Sequence, residues 1–252
     1  MSEAITPLAL RGIGKRFGRL AVLRAVDLDV VSGEIVGLVG ANGSGKTTLL
    51  SIIAGLLPPS EGERTFGERV ADEVDLELRR RLAFVTHTTQ LYGRLTAREN
   101  MALFAELRDA AGASSRPGGP LLERLGLADA ADRQVSTYSR GMMQRLALAR
   151  ALAGEPELLL LDEPYTALDR PGRRLLTEVL REERSRGLAV LLSSHDTDAI
   201  VSVTDRVALL EGGRIVDEAH RDPADGDLEP YRRRVMGLGL FADPPAARPE
   251  AV

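Results

Sequence analysis

Cysteine and tryptophan are missing from the 252 residues. The first absence removes disulfides, thiolate metal sites, thiol nucleophiles and CxxC redox chemistry together. Aromatic residues number only nine, so one lying outside an apolar segment stands out. No apolar run approaches a bilayer span, and residues 1–20 carry Glu3 and scattered arginines instead of a basic start and an apolar core. The chain is therefore expected to be soluble and cytoplasmic. A net charge of -4, with both signs spread along the chain, offers no basic face, so no nucleic-acid partner is expected. Lysine is almost absent: of 33 basic residues only Lys15 and Lys46 are lysines. The length suits one large domain or two closely joined lobes.

Against that background one stretch carries a clear signal: Gly40, Ala41, Asn42, Gly43, Ser44, Gly45, Lys46, Thr47. It follows the apolar run 35–39 and precedes a helix-like segment, 48–57, which is the context a G-x-x-x-x-G-K-[ST] phosphate loop requires. Glycines let successive backbone amides converge on one anion, and a helix N-terminus behind them adds its dipole. Lys46 is placed to reach β and γ phosphates, and the Thr47 hydroxyl to ligate Mg²⁺. A compact ammonium thus stands where phosphate binding needs one, in a chain that otherwise uses arginine.

Ahead of the loop, residues 8–13 and 20–28 read as two short strands, which suggests an antiparallel layer beside an α/β core. Phe17 falls between them, either as a platform for a purine or as an ordinary core or turn residue. After the loop helix, Pro58 to Gly62 is a break and 63–70 a small hairpin closed near Gly67. The run 82–85 fits a buried strand ending in the polar stretch Thr86 to Gln90, at the sheet edge where ligands bind. From Thr96 the pattern is helical, with an interruption at 113–119 and a strong helix, 143–153, that Ser139 is placed to cap. Residues 91–153 read as a helical lobe inserted into a core made of 1–90 and 154–240, followed by a mobile tail, 241–252. The four leucines 158–161 form a strand buried on both faces, and Asp162 and Glu163 emerge at its end, placed for Mg²⁺ and for water. A further helix, 172–186, and strand, 188–192, lead to His195, which ends a strand as Asp162 does and is placed to face a γ phosphate. Segments 206–210 and 214–216 form a hairpin.

Taken together, residues 8–217 resemble the nucleotide-binding subunit of ATP-binding cassette (ABC) transporters. The resemblance implies a P-loop NTPase core with an antiparallel β layer and an inserted helical lobe. It implies that Gly40 to Thr47, with Thr48, hold ATP, that Thr47 and Asp162 hold Mg²⁺, and that Glu163 is the catalytic base, assisted by Lys46 and the switch histidine His195. Phe17 is then the adenine-stacking residue, Ala167 to Asp169 the D-loop, and Ser139 and Gly141 the signature residues that reach the γ phosphate across a dimer. The signature departs from the usual L-S-G-G-Q, with Tyr138, Arg140 and Met142 at the other positions. Counting back from Tyr92 puts His87, not Gln90, at the Q-loop position. Imidazole is a poor ligand for Mg²⁺, which leaves Gln90 or water in that role.

The same histidine, with residues 138–142 and 161–169, looks like the ATPase subunit of the haem exporter used in cytochrome c maturation. That resemblance implies ATP hydrolysis by a homodimer peripheral to the cytoplasmic face of the cell membrane. Its energy would drive haem export through a separate permease, docked near residues 87–99. Export of a drug, lipid or polysaccharide is the alternative within the family. A non-transport ATPase acting on DNA or ribosomes is the alternative outside it.

Overall fold

Three apolar runs form strands buried along their whole length: β3 (Ile35–Val39), β7 (Leu158–Asp162) and β8 (Ala189–Ser193). Strands of this kind, without polar alternation, belong in a parallel sheet covered on both faces. The computed structural model, which describes residues 4–71, 73–86, 88–222, 224 and 227–238, places them at the centre of a six-stranded sheet. Its other members are β6 (Leu82–Val85), β9 (Arg206–Glu211) and β10 (Arg214–His220), in the order β10-β9-β3-β8-β7-β6. All neighbours run parallel except β9 and β10, which form an antiparallel edge. A second, antiparallel sheet has the order β2-β1-β4-β5, from β1 (Leu8–Phe17), β2 (Leu20–Val30), β4 (Glu61–Phe66) and β5 (Arg69–Val70).

The two-residue period of the strands divides the core. Val36, Leu38, Leu158, Leu160 and Leu191 pack toward the antiparallel sheet and α1 (Lys46–Ile53), while Ile35, Val39, Leu159, Leu161 and Leu192 pack toward the helices on the opposite face. Helix α1 contributes Leu49, Leu50, Ile52 and Ile53, all fully buried, each worth about 1.5–3 kcal/mol. It stops short of the expected residue 57 because Gly55 takes φ 70, where a Cβ would stand 2.4 Å from Val74 Cβ.

Between β6 and β7 the chain forms α3 (Ala97–Ala110), α4 (Gly118–Arg124) and α5 (Arg140–Ala153). Thr96 and Glu99 make a capping box at the start of α3. Ser139 caps α5, which therefore begins three residues before the expected Met143. Likewise Asp169 accepts from Gly172 N at 2.9 Å, so α6 (Arg170–Ser185) starts ahead of the expected Gly172. The short helices α2 (Leu76–Arg81), α7 (Thr197–Val203) and α8 (Glu229–Met236) were not anticipated, since one or two turns leave little periodic signal.

Another correction concerns Lys15, Arg16 and Phe17. They belong to β1 and not to a connecting loop: Phe17 pairs with Leu20, leaving only Gly18, at φ 58, and Arg19 to turn. His87 and the tail 241–252 lie outside the described residues.

Candidate nucleotide site

Parallel neighbours send the segments after their carboxyl ends to the same edge of a sheet. Here β3 delivers the glycine loop, β7 delivers Asp162 and Glu163, and β8 delivers His195. The loop needs glycine at two places for reasons of space. A Cβ on Gly40, at φ 154, would stand 2.2 Å from Leu210 O, and one on Gly45, at φ 111, 2.7 Å from Leu23 Cδ2. Gly43, at φ 81, faces open space, so its requirement is one of backbone conformation alone.

Lys46 is 7% exposed, and its ammonium donates to Gly40 O at 2.8 Å and Ala41 O at 3.2 Å. Burial lowers its pKa, an effect that the charges of Glu163 and Asp162 oppose. The loop thus curls around its own cation, with the Ser44 amide bonded back to Ala41 O at 3.1 Å. A cavity of about 370 Å³ opens beside it, bounded by Val22, Gly45, Lys46, Thr47, Asp162 and Glu163.

A connected set of hydrogen bonds crosses the floor of that cavity. Thr47 Oγ1 donates to Asp162 Oδ2 at 2.9 Å, and Ser193 Oγ donates to Asp162 Oδ1 at 2.7 Å. Ser193 Oγ in turn accepts from Glu163 N at 3.0 Å. Glu163 takes the left-handed φ of 52, unusual for a residue with a side chain. Its Oε2 lies 2.9 Å from His195 Nδ1, with His195 N at 3.4 Å from the same oxygen.

These groups fit a divalent hard cation and a phosphate chain. Thr47 and Asp162 offer one hydroxyl and one carboxylate, the oxygen set that Mg²⁺ takes when phosphates and water complete its shell. Among the described residues no group of three or more His, Asp or Glu side chains forms an all-protein metal site. Ser44 Oγ is buried without a hydrogen-bond partner inside the loop, a polar atom that a phosphate oxygen would satisfy.

The other expected site residues lie apart from this cavity. Phe17 is 48% exposed at the end of β1, with the Lys15 ammonium 5.3 Å from its ring centre. Ser139 Oγ accepts from Met142 N at 3.2 Å, and a Cβ on Gly141 would stand 2.9 Å from Ala167 O. The start of α5 at Ser139 to Gly141 therefore rests on the 167–169 turn of the same chain, whose Asp169 caps α6. Gln90 borders a different cavity, of about 320 Å³, between β6, α3 and α5, along with Phe84, Phe104, Arg108 and Arg150. Arg150 donates to Gln90 O at 2.6 Å and to Thr89 O at 3.1 Å.

Sequence reading missed Ser193, which holds both carboxylate residues, and Asn100, which ties residues 92–96 together through Tyr92 N, Tyr92 O and Thr96 O. Ser193 had a signal, as a polar residue closing an apolar strand, but its partner became known only through the β7–β8 register.

A family model described as ABC transporter matches residues 23–166. A sulfate/thiosulfate import ATP-binding protein of Bordetella pertussis is 41% identical over 217 residues, covering 82% of this chain and 60% of that protein. An Fe(3+) ions import ATP-binding protein of Streptomyces avermitilis is 41% identical over 226 residues, covering 86% of this chain and 65% of that protein. The chain thus spans about three fifths of the length of such relatives.

Among solved structures, an ATP-binding subunit of an ABC transporter superposes with a TM-score of 0.76 at 28% identity, covering 94% of this chain and 95% of the other. A dimeric ATP-binding cassette in a post-hydrolysis state, bound to ADP and Pi, superposes with a TM-score of 0.71 at 30% identity, covering 85% and 99%.

These relatives overturn the haem-exporter resemblance and the expectation of export, because they are named as import ATPases. The letters behind that expectation were His87, which lies outside the described residues, and those at 138–142 and 161–169, of which Asp162 and Glu163 border the cavity beside the glycine loop.

Proposed function

The chain belongs to the ABC transporter family as one of its ATP-binding ATPases, and from that premise we propose that it powers import through a separate membrane permease. The observation that carries this reading is the continuous bonding from Thr47 through Asp162, Ser193 and Glu163 to His195 at one sheet edge. A hydroxyl and a carboxylate there stand beside a second carboxylate paired with an imidazole, which supports a metal and an attacking water at that edge.

In this reading the amides of residues 40–48 and the Lys46 ammonium hold the phosphates, and Phe17 stacks on the adenine. Thr47 and Asp162 would hold Mg²⁺, which when bound neutralises charge on the phosphate oxygens. Glu163 accepts a proton from the attacking water, and His195 holds the Oε2 of Glu163 and faces the γ phosphate. Ser139, Gly141 and Asp169 of a second copy close the site from the other side. The dimeric arrangement of a related cassette supports this.

Among the described residues no helix is long and apolar enough to cross a membrane, and in this reading a partner moves the cargo. The cavity between β6, α3 and α5 supports a docking place for it, and the α3–α5 insertion would serve as the lobe that moves against the two-sheet core. Import is the direction printed in the names of the relatives, which carry inorganic ions.

Purification of the Glu163→Gln variant with ATP and Mg²⁺ from native membranes, followed by mass spectrometry, tests the reading. Recovery of a permease of the import type supports it. Recovery of ribosomes or DNA in place of a membrane protein overturns it.

A further inference from the structure

One arginine outside the cavity joins two parts of the site that sit on different loops. Arg173, in the first turn of α6, donates from Nε to Leu168 O at 3.2 Å, and its Nη1 forms an ion pair with Asp196 Oδ2. Leu168 belongs to the turn on which Gly141 of α5 rests, since a Cβ on Gly141 would meet Ala167 O at 2.9 Å and Leu168 Cδ2 at 3.5 Å. Asp196 follows His195 directly, caps α7 by accepting from Ala199 N at 3.0 Å, and has its own amide bonded to Ser194 Oγ at 3.0 Å. From His195 the path continues to Glu163 Oε2 at 2.9 Å.

We propose that Arg173 is a positioning residue for hydrolysis. By holding Leu168 O and Asp196 at once, it makes the 167–169 turn and the His195 loop move as one unit, so that events at the signature and D-loop turns set the His195–Glu163 pair. The inference rests on the ATPase reading above. Its physical basis is the shape of the side chain: a guanidinium presents several donors in one rigid plane, so one residue can grip a carbonyl and a carboxylate on separate loops. A lysine has a single ammonium on a flexible stem and keeps the pair with Asp196 only by leaving Leu168 O.

The test compares Arg173→Ala and Arg173→Lys with the parent for ATP affinity, kcat and melting temperature, with Glu163→Gln as a control. ATP affinity is expected to stay within about twofold, because Arg173 touches none of the phosphate-binding groups. The expected kcat falls about tenfold to a hundredfold in both variants, the scale of a misplaced catalytic geometry. Arg173→Lys is expected to keep the parent's melting temperature and still show the lowered kcat.

Parental kcat in Arg173→Ala overturns the inference. So does a lysine variant that recovers kcat along with stability, since that marks the residue as a plain structural brace. Should Arg173→Ala fail to fold, the lysine variant decides alone. Failure of the underlying reading is separate: it shows as substantial hydrolysis by Glu163→Gln, whatever the Arg173 variants do.

Discussion

Asp162 and Ser193 face each other across parallel strands β7 and β8, and the Ser193 hydroxyl donates to Asp162 Oδ1 at 2.7 Å while accepting from Glu163 N. One hydroxyl therefore sets both carboxylate residues. In Ser193→Ala the Glu163 amide keeps Ser193's backbone oxygen, at 3.2 Å in the present chain, but buried Asp162 loses a donor. The expected cost is about 1–3 kcal/mol of stability, read as a fall in melting temperature. A rise in the Mg²⁺ concentration needed for half-maximal ATPase should accompany it. An unchanged Mg²⁺ requirement would show that Ser193 does not orient Asp162 for the metal.

Lys46 sits with its ammonium between two carbonyls of its own loop, at 2.8 and 3.2 Å. Lys46→Ala is expected to lower ATP affinity at least about a hundredfold, since hydrogen bonds between charged groups in a site shielded from water are individually strong. Lys46→Arg should not rescue it, because a planar guanidinium cannot occupy the place of a compact ammonium. Titration with a fluorescent ATP analogue measures both, and tight binding by Lys46→Ala would remove the residue from the phosphate site.

Two glycines of one loop should respond differently to the same change. Gly45→Ala puts a Cβ 2.7 Å from Leu23 Cδ2 at φ 111, whereas Gly43→Ala at φ 81 meets nothing within 4 Å. The second should cost only backbone strain, about 1–2 kcal/mol. The first adds a clash that forces the buried Leu23 side chain to shift. Melting temperatures are expected in the order parent, Gly43→Ala, Gly45→Ala, and a reversed order would refute the packing argument.

Glu183, 3% exposed on α6, receives Arg116, Arg124 and Arg186. Burial works to raise its pKa, but the bond from Arg124 and the three positive charges outweigh it and hold the carboxyl below the usual range. A carboxylate depressed in the folded state stabilises fully above its unfolded value of about 4.3 and loses that contribution as pH falls through the folded value. Since Arg116 and Arg124 come from the segment between α3 and α5, acid should loosen that segment from the core first. Glu183→Gln is expected to melt lower than the parent at pH 7, with the gap closing in acid. A gap that persists at pH 2–3 would contradict the account.

The positions of the glycine loop, the buried carboxylate strand and His195 at strand ends were legible because each couples a local chemical signal to a strand end. Glycine spacing, a lone lysine and an apolar run closed by Asp162 and Glu163 each report on backbone geometry over a few residues. The first strand runs four residues past the expected residue 13, to Phe17, because a two-residue turn at Gly18 and Arg19 needs less chain than a loop reading supplies. The haem-export expectation failed for a different reason: it rested on a few letters at 87, 138–142 and 161–169, whereas relatives 41% identical over 217 and 226 residues are named for import.

By itself, then, the sequence determined which side chains stand at the ends of strands, and therefore which chemistry is possible. The tertiary structure decided which of them meet. Ser193 acquires its contacts from the register of β7 against β8, Arg173 from the approach of the 167–169 turn to the start of α7, and Glu183 from arginines 59 and 67 residues away. Such contacts depend on packing between elements remote in the chain, and no short pattern records them.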